Sequence, residues 1–125
     1  MRTPIHTESA PRALGTYSQA VAAGDTIYLS GQVGLDPASG ELAAGFEAQA
    51  HQVFRNLAAV AGAAGASLSQ AVRATVFITD FAHFASLNEI MAQYFSLPYP
   101  SRSTVQVSAL PKGALVEVDL ILVRG

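Results

Sequence analysis

The segment from Tyr99 to Val107 places an arginine and a hydroxyl side chain at the start of a predicted strand. Alternate residues of a strand share a face, so Arg102 and Thr104 should point one way, while Val105 and Val107 point the other way into the core. A guanidinium beside a hydroxyl suits a small carboxylate, because its planar fork donates two parallel hydrogen bonds. Considered alone, the segment is explained more simply by an arginine in a surface ion pair.

A second group that could do chemistry lies in the last predicted strand, from about residue 115 to 123. Glu117 and Asp119 fall in the middle of one face, and the opposite face is continuously apolar: Val116, Val118, Leu120 and Leu122. A carboxylate in the middle of a strand is either solvated at a sheet edge or held there for a purpose. Within hydrogen-bond distance of a water molecule, it could act as a general acid or base.

The spacing of apolar residues predicts the elements that must position these groups. Helical spacing indicates one helix over 46–64 and a second that Asp80 caps and Pro98 ends. Residues 1–14 should be an extended lead-in, and alternating or short apolar runs predict strands over 17–21, 26–30, 72–79, from 102 and over 115–123.

This order predicts a single α+β domain over 1–125, with two helices packed on one face of a mixed sheet. If the strand parities hold, the other face carries Tyr17, Ser30, Arg102, Thr104 and Glu117. That face is too apolar to be left in water, so we expect other subunits to cover it. The low charge content, 13% of the residues, points the same way.

Composition argues against several classes of function. Seven basic and nine acidic side chains give a net charge of −2 with no basic cluster, unlike the usual footprint of a nucleic-acid-binding protein. The chain has no cysteine, and its three histidines are far apart, so we expect no metal site. No segment is apolar enough for a membrane span, and the N-terminus lacks the apolar core of a signal peptide, which predicts a cytoplasmic protein.

The same residues occur in a series of motifs that resembles the RidA/YjgF family of enamine/imine deaminases. The motifs follow the family order with similar spacing: Gly15-Thr-Tyr-Ser-Gln-Ala20, Tyr28-Leu-Ser-Gly-Gln32, Asp36-Pro-Ala-Ser-Gly-Glu41, Thr75-Val-Phe-Ile-Thr-Asp80, Arg102-Ser-Thr-Val-Gln-Val107, Leu110-Pro-Lys-Gly113 and Val116-Glu-Val118. Together they cover almost the whole chain.

The resemblance implies a chorismate-mutase-like fold, a homotrimer with sites between subunits, and cofactor-free hydrolysis of 2-iminopropanoate and 2-iminobutanoate to the 2-oxo acid and ammonia. Arg102 matches the family's carboxylate-binding arginine, and Glu117 matches the acid that positions or activates water. Tyr17, Ser30, Gly31 and Asn88 match residues that line the cleft. Thr104 stands where many members have cysteine, and would contribute mainly backbone groups.

Two alternatives remain open at this stage. The same clefts could bind a 2-oxo acid without turnover, or the surface could act as a holdase; low basicity argues against a ribonuclease. The segment 95–102 is a few residues shorter than is usual in the family. Because it borders the expected pocket, it leaves the size of the substrate open.

Overall fold

The computed structural model describes all residues from 1 to 125. Six strands and two helices form the chain: β1 (Arg2–Ile5), β2 (Ala20–Ala23), β3 (Thr26–Val33), α1 (Phe46–Ala63), β4 (Ala71–Ile78), α2 (Phe84–Met91), β5 (Ser101–Gln106) and β6 (Val116–Val123). The α+β fold, with two helices and one mixed sheet, is therefore as predicted.

The six strands form one sheet in the order β1-β2-β3-β6-β4-β5. All neighbours are antiparallel except β4 and β5, which run parallel because α2 connects them. Strand β6, with Glu117 and Asp119, therefore lies near the centre, and β5, with Arg102, forms one edge. Functional groups at the edge and at the centre are separated by β4.

The core lies between α1 and one face of the sheet. Phe54 and Leu57 of α1 are fully buried, as are the inward side chains of β6, Val116 to Leu122. Two buried amides join the layers: Gln49 accepts a hydrogen bond from Leu115 N at 2.8 Å, and Asn56 donates one to Leu35 O at 2.9 Å. These bonds tie α1 to the segment that precedes β6 and to the segment that follows β3.

The predicted face of β5 is wrong. In the parallel register, Arg102 pairs with Ala74 and Thr104 with Val76, whose side chains face the helices. Arg102 and Thr104 therefore lie on the helix side, and Val105 is 41% exposed instead of entering the core. The alternation along β5 is as predicted, but the side that faces the helices is not, because neither side of this strand is clearly apolar.

Other differences concern element boundaries. The N-terminal lead-in contains the edge strand β1, and the first predicted strand begins at Ala20, so Tyr17 lies before it. Asp80 caps a short 3₁₀ turn by accepting a hydrogen bond from Ala82 N at 2.8 Å, and α2 follows only from Phe84. This helix ends at Met91, earlier than the apolar pattern indicates.

Candidate functional site

Arg102 is held by the exposed side of α2. Its Nη1 donates a 2.7 Å hydrogen bond to Asn88 Oδ1 and contacts Met91 Sδ at 3.5 Å, while the guanidinium carbon lies 5.5 Å from the centre of the Phe84 ring. Phe84, Asn88 and Met91 share a helix face because they are three or four residues apart. The remaining guanidinium nitrogens donate to no protein atom, so part of the fork can receive a carboxylate.

A cavity of about 340 Å³ opens beside this guanidinium. Arg102 and Asn88 supply its polar groups, and its remaining walls come from Met91, Ala92, Phe95, Tyr99 and Pro100. Residues Tyr99 and Pro100 belong to the shortened 95–102 segment, which therefore forms a wall of the cavity, as the sequence indicated. A cationic end and mostly apolar walls suit a small organic anion with an apolar side chain.

Glu117 lies on the other face of the sheet, against the backbone of β3. The β3–β6 register shifts between Leu29 and Gln32, and a Cβ added to Gly31 would lie 2.6 Å from Glu117 Oε2. Glycine is therefore required for the carboxylate to occupy this position. Gly31, which the family resemblance assigns to the cleft, is therefore in contact with Glu117, which the resemblance assigns to catalysis.

Burial raises the pKa of Glu117 above its ordinary value, and the nearby charge of Asp119 raises it further. Burial also raises the pKa of Asp119, while hydrogen bonding by Thr75 and the positive charge of Arg73 oppose that change. Glu117 and Asp119 are two residues apart on one strand face, so they interact as like charges. A carboxyl group with a raised pKa is suited to exchange protons near neutral pH.

Tyr17 and Ser30 lie at the same side of the molecule as Glu117. The Ser30 hydroxyl donates a 2.6 Å hydrogen bond to Ser18 O, which ties β3 to the segment before β2. The amide of the buried Gln19 side chain hydrogen-bonds to the backbone of the N-terminal segment. It accepts a bond from Thr7 N at 2.7 Å and donates one to Pro11 O at 2.8 Å. Tyr17, two residues before Gln19, lies at the surface and is 55% exposed.

A second cavity, of about 250 Å³, lies at this position. Tyr17, Gly31 and Glu117 line it together with Arg12, Pro111 and Lys112. Arg102 and Asn88 thus line the first cavity, whereas Tyr17, Gly31 and Glu117 line the second. Ser30 adjoins the second cavity only through its neighbour Gly31.

Within one chain the two groups do not meet. Glu117 of β6 pairs with Phe77 of β4, and Phe77 pairs in turn with Val105 of β5. Strand β5 is therefore two strand spacings, roughly 10 Å, from Glu117. Arg102 points to the helix side and Glu117 to the opposite side. A single small molecule cannot contact both side chains in the isolated chain.

Thr104 lies on the same side of β5 as Arg102 but contributes to neither cavity. Its hydroxyl oxygen is buried and has no hydrogen-bond partner. Neither cavity includes Thr104 among its lining residues. The structure therefore does not bring this predicted substrate-binding hydroxyl together with Arg102 at a cavity surface.

Several residues around the two cavities were not identified from the sequence. The apolar residues Phe84 and Met91 fit the helical spacing of a core-facing stripe, yet both contact the guanidinium of Arg102. Their spacing of three to four residues from Asn88 could have indicated this shared face. Arg12 and Lys112 lie in loops, where no periodicity relates them to Glu117.

The structure brings no three His, Asp or Glu side chains together as metal ligands. Neither helix has the length and hydropathy of a membrane span.

Comparisons with known proteins agree on one family. A family model described as Endoribonuclease L-PSP matches residues 7–124. The chain is 45% identical over 126 residues to a bovine protein named 2-iminobutanoate/2-iminopropanoate deaminase, covering 100% of this chain and 92% of that protein. It is also 50% identical to the protein DfrA of Myxococcus xanthus over 125 residues, which cover 98% of this chain and 95% of that protein.

Solved structures match the fold closely. RidA from an Antarctic Psychrobacter superimposes with a TM-score of 0.95 and 53% identity, covering 97% of this chain and 98% of that one. The structure of Escherichia coli TdcF with bound serine gives a TM-score of 0.94 at 39% identity, covering 98% and 99% of the two chains.

Proposed function

We propose that this chain, which belongs to the RidA/YjgF family, hydrolyses short 2-imino acids to 2-oxo acids and ammonia without a cofactor. The substrates would be 2-iminopropanoate and 2-iminobutanoate, the compounds in the names of its mammalian relatives. We place the reaction in the cytoplasm as part of the same proposal.

One observation carries this proposal: the guanidinium of Arg102 is fixed at the end of an apolar cavity with part of its fork unused. Asn88 and Phe84 hold the guanidinium from α2, so its orientation costs little when a ligand binds. A carboxylate on this fork would place the hydrocarbon side chain of an imino acid against the apolar walls. Other small carboxylates would also fit this cavity. Hydrolysis of an imine therefore requires a second group, the carboxylate of Glu117.

Glu117 supplies the second requirement, a group that moves protons. Water adds to the imine carbon, and Glu117 accepts a proton from this water and passes it to the nitrogen. Glu117 then takes the hydroxyl proton of the resulting carbinolamine and delivers it to the nitrogen as the carbon–nitrogen bond breaks, which releases ammonia and leaves the carbonyl of the 2-oxo acid. The raised pKa of Glu117 supports this role, since a general base works best when its pKa approaches the working pH.

Arg102 and Glu117 can act on one substrate only if they come from different copies of the chain. We therefore propose a homotrimer in which the Arg102 cavity of one subunit meets the Glu117 cavity of the next, with Tyr17 and Gly31 on the Glu117 side. Exposed apolar side chains on the outer sheet face, Tyr28, Val105 and Val123, support such burial. A closed ring would cover this face in every subunit.

A direct assay tests the proposed activity. An amino-acid oxidase generates 2-iminobutanoate in solution, and the appearance of 2-oxobutanoate is followed with and without the protein. We expect faster formation of the oxo acid with the parent protein, and a much smaller acceleration with Arg102→Ala. An unchanged rate with the parent protein, combined with tight binding of 2-oxobutanoate, would instead indicate a 2-oxo acid binding protein.

A further inference from the structure

The second cavity carries two cations that the proposed reaction does not use. Arg12 and Lys112 both line it, together with Glu117 and Tyr17. Neither cation forms a side-chain hydrogen bond, and the only ion pair in the chain, between His6 and Glu8, lies elsewhere. The chain has only seven Lys and Arg residues, so two unpaired cations at one small cavity are a notable share of its positive charge. We call Arg12 and Lys112 the cationic rim.

Lys112 is held in an unusual backbone conformation. Its φ and ψ of 60° and 20° lie in the left-handed region, and it is the only residue other than glycine with a positive φ. Lysine rarely adopts this conformation, which costs about 1 kcal/mol or more. This conformation belongs to the turn before β6, and it places Lys112 at the cavity that contains Glu117.

Arg12 is positioned from the other side. The Gln19 side chain binds Pro11 O at 2.8 Å and Thr7 N at 2.7 Å, which fixes the chain immediately before Arg12. The cationic rim therefore consists of two side chains on separate, anchored loops.

We propose that the cationic rim binds the second acid group of a 2-imino dicarboxylic acid. This inference rests on the proposed function: Arg102 of a neighbouring copy would hold the carboxylate beside the imine, and the far carboxylate would meet Arg12 and Lys112. The two cavities would then recognise the two ends of one dicarboxylic substrate. A monocarboxylic imino acid would use only the Arg102 end.

The test compares binding of 2-oxoglutarate with that of 2-oxobutanoate, measured by titration calorimetry on the intact protein. Arg12→Gln combined with Lys112→Asn removes both charges, and asparagine tolerates the left-handed conformation. Arg55→Gln is the matched control, because Arg55 is an exposed arginine on α1 outside both cavities. Equilibrium binding is independent of turnover, so it remains informative if the deaminase assay fails.

We expect the parent protein and Arg55→Gln to bind 2-oxoglutarate more tightly than 2-oxobutanoate. The double variant should lose about tenfold in affinity for 2-oxoglutarate alone, as two partly solvated charge contacts would give. The preference should also weaken as salt is raised. Absence of 2-oxoglutarate binding to the parent, an unchanged preference in the double variant, or an equal loss for both anions would overturn the proposal.

Discussion

The Nη1 atom of Arg102 donates a 2.7 Å hydrogen bond to Oδ1 of Asn88, which joins the edge strand β5 to α2. This bond occupies one nitrogen of the guanidinium and leaves the others without a protein acceptor. It therefore fixes the cation without saturating it.

Replacing Arg102 by either lysine or alanine should abolish most imine hydrolysis in a folded protein. Lysine keeps the charge but cannot reproduce the planar fork that pairs with both Asn88 and a carboxylate. Losing one charged hydrogen bond costs about 1.5–3 kcal/mol, or roughly ten- to hundredfold in kcat/KM. Steady-state kinetics with circular dichroism as the folding control decide this, and activity of Arg102→Ala within twofold of the parent would remove Arg102 from the site.

Gly31→Ala should reduce turnover while leaving the fold largely intact. The new Cβ would lie 2.6 Å from Glu117 Oε2, so the carboxylate, as the flexible partner, must move away. Gly62→Ala is the matched control: outside its own helix no atom lies within 4 Å of the added Cβ, and alanine in place of a helical glycine should stabilise by about 0.5–1 kcal/mol. Thermal melts and kcat for both variants separate displacement of Glu117 from unfolding, and full activity of Gly31→Ala would count against this contact.

Asp119→Asn should change the pH dependence of the reaction. Removing the neighbouring negative charge lowers the pKa of Glu117, so its carboxylate form persists to lower pH. If Glu117 is the general base, the acidic limb of the kcat profile shifts to lower pH. Asp25→Asn changes the net charge equally at an exposed turn and should leave the limb in place. An identical limb in both variants would show that Glu117 does not control the profile.

Thr104→Val should keep activity and should not lower stability. The Thr104 hydroxyl is buried without a partner, and such a group costs about 1–3 kcal/mol relative to one that is satisfied. Valine has nearly the same shape and removes the unpaired oxygen. Urea unfolding provides the measurement. An inactive but stable Thr104→Val would show that the hydroxyl contacts the ligand.

The sequence predicted the helices and most strands because their apolar spacing is regular. It failed on the face of β5 because an edge strand with Arg102, Thr104 and Gln106 on one side and Ser103 and Val105 on the other has no clearly apolar side. The side of β5 that faces the helices is decided by the pairing of Arg102 with Ala74 of β4. This pairing depends on tertiary structure and not on the local sequence. Long-range placement also explains why Arg12 and Lys112 were not anticipated, since only the packed loops bring them to Glu117.

Glu117→Gln should bind 2-oxobutanoate as the parent does but turn over imine about a hundred- to ten-thousandfold more slowly. The amide keeps the shape of the carboxylate and loses proton transfer. Calorimetry and steady-state kinetics on the same sample separate the two effects. Turnover at the parental rate would reassign Glu117 to a structural role.

The division of the site between two copies is tested most directly by mixing the inactive variants Arg102→Ala and Glu117→Gln, after dissociation and reassembly. In a closed ring of three subunits, each mixed ring contains one site with both side chains intact, so an equal mixture should recover about one quarter of the parental activity. Recovery near this level is the result that we expect. A mixture as inactive as its components, with subunit exchange confirmed by mass spectrometry, would contradict the shared site.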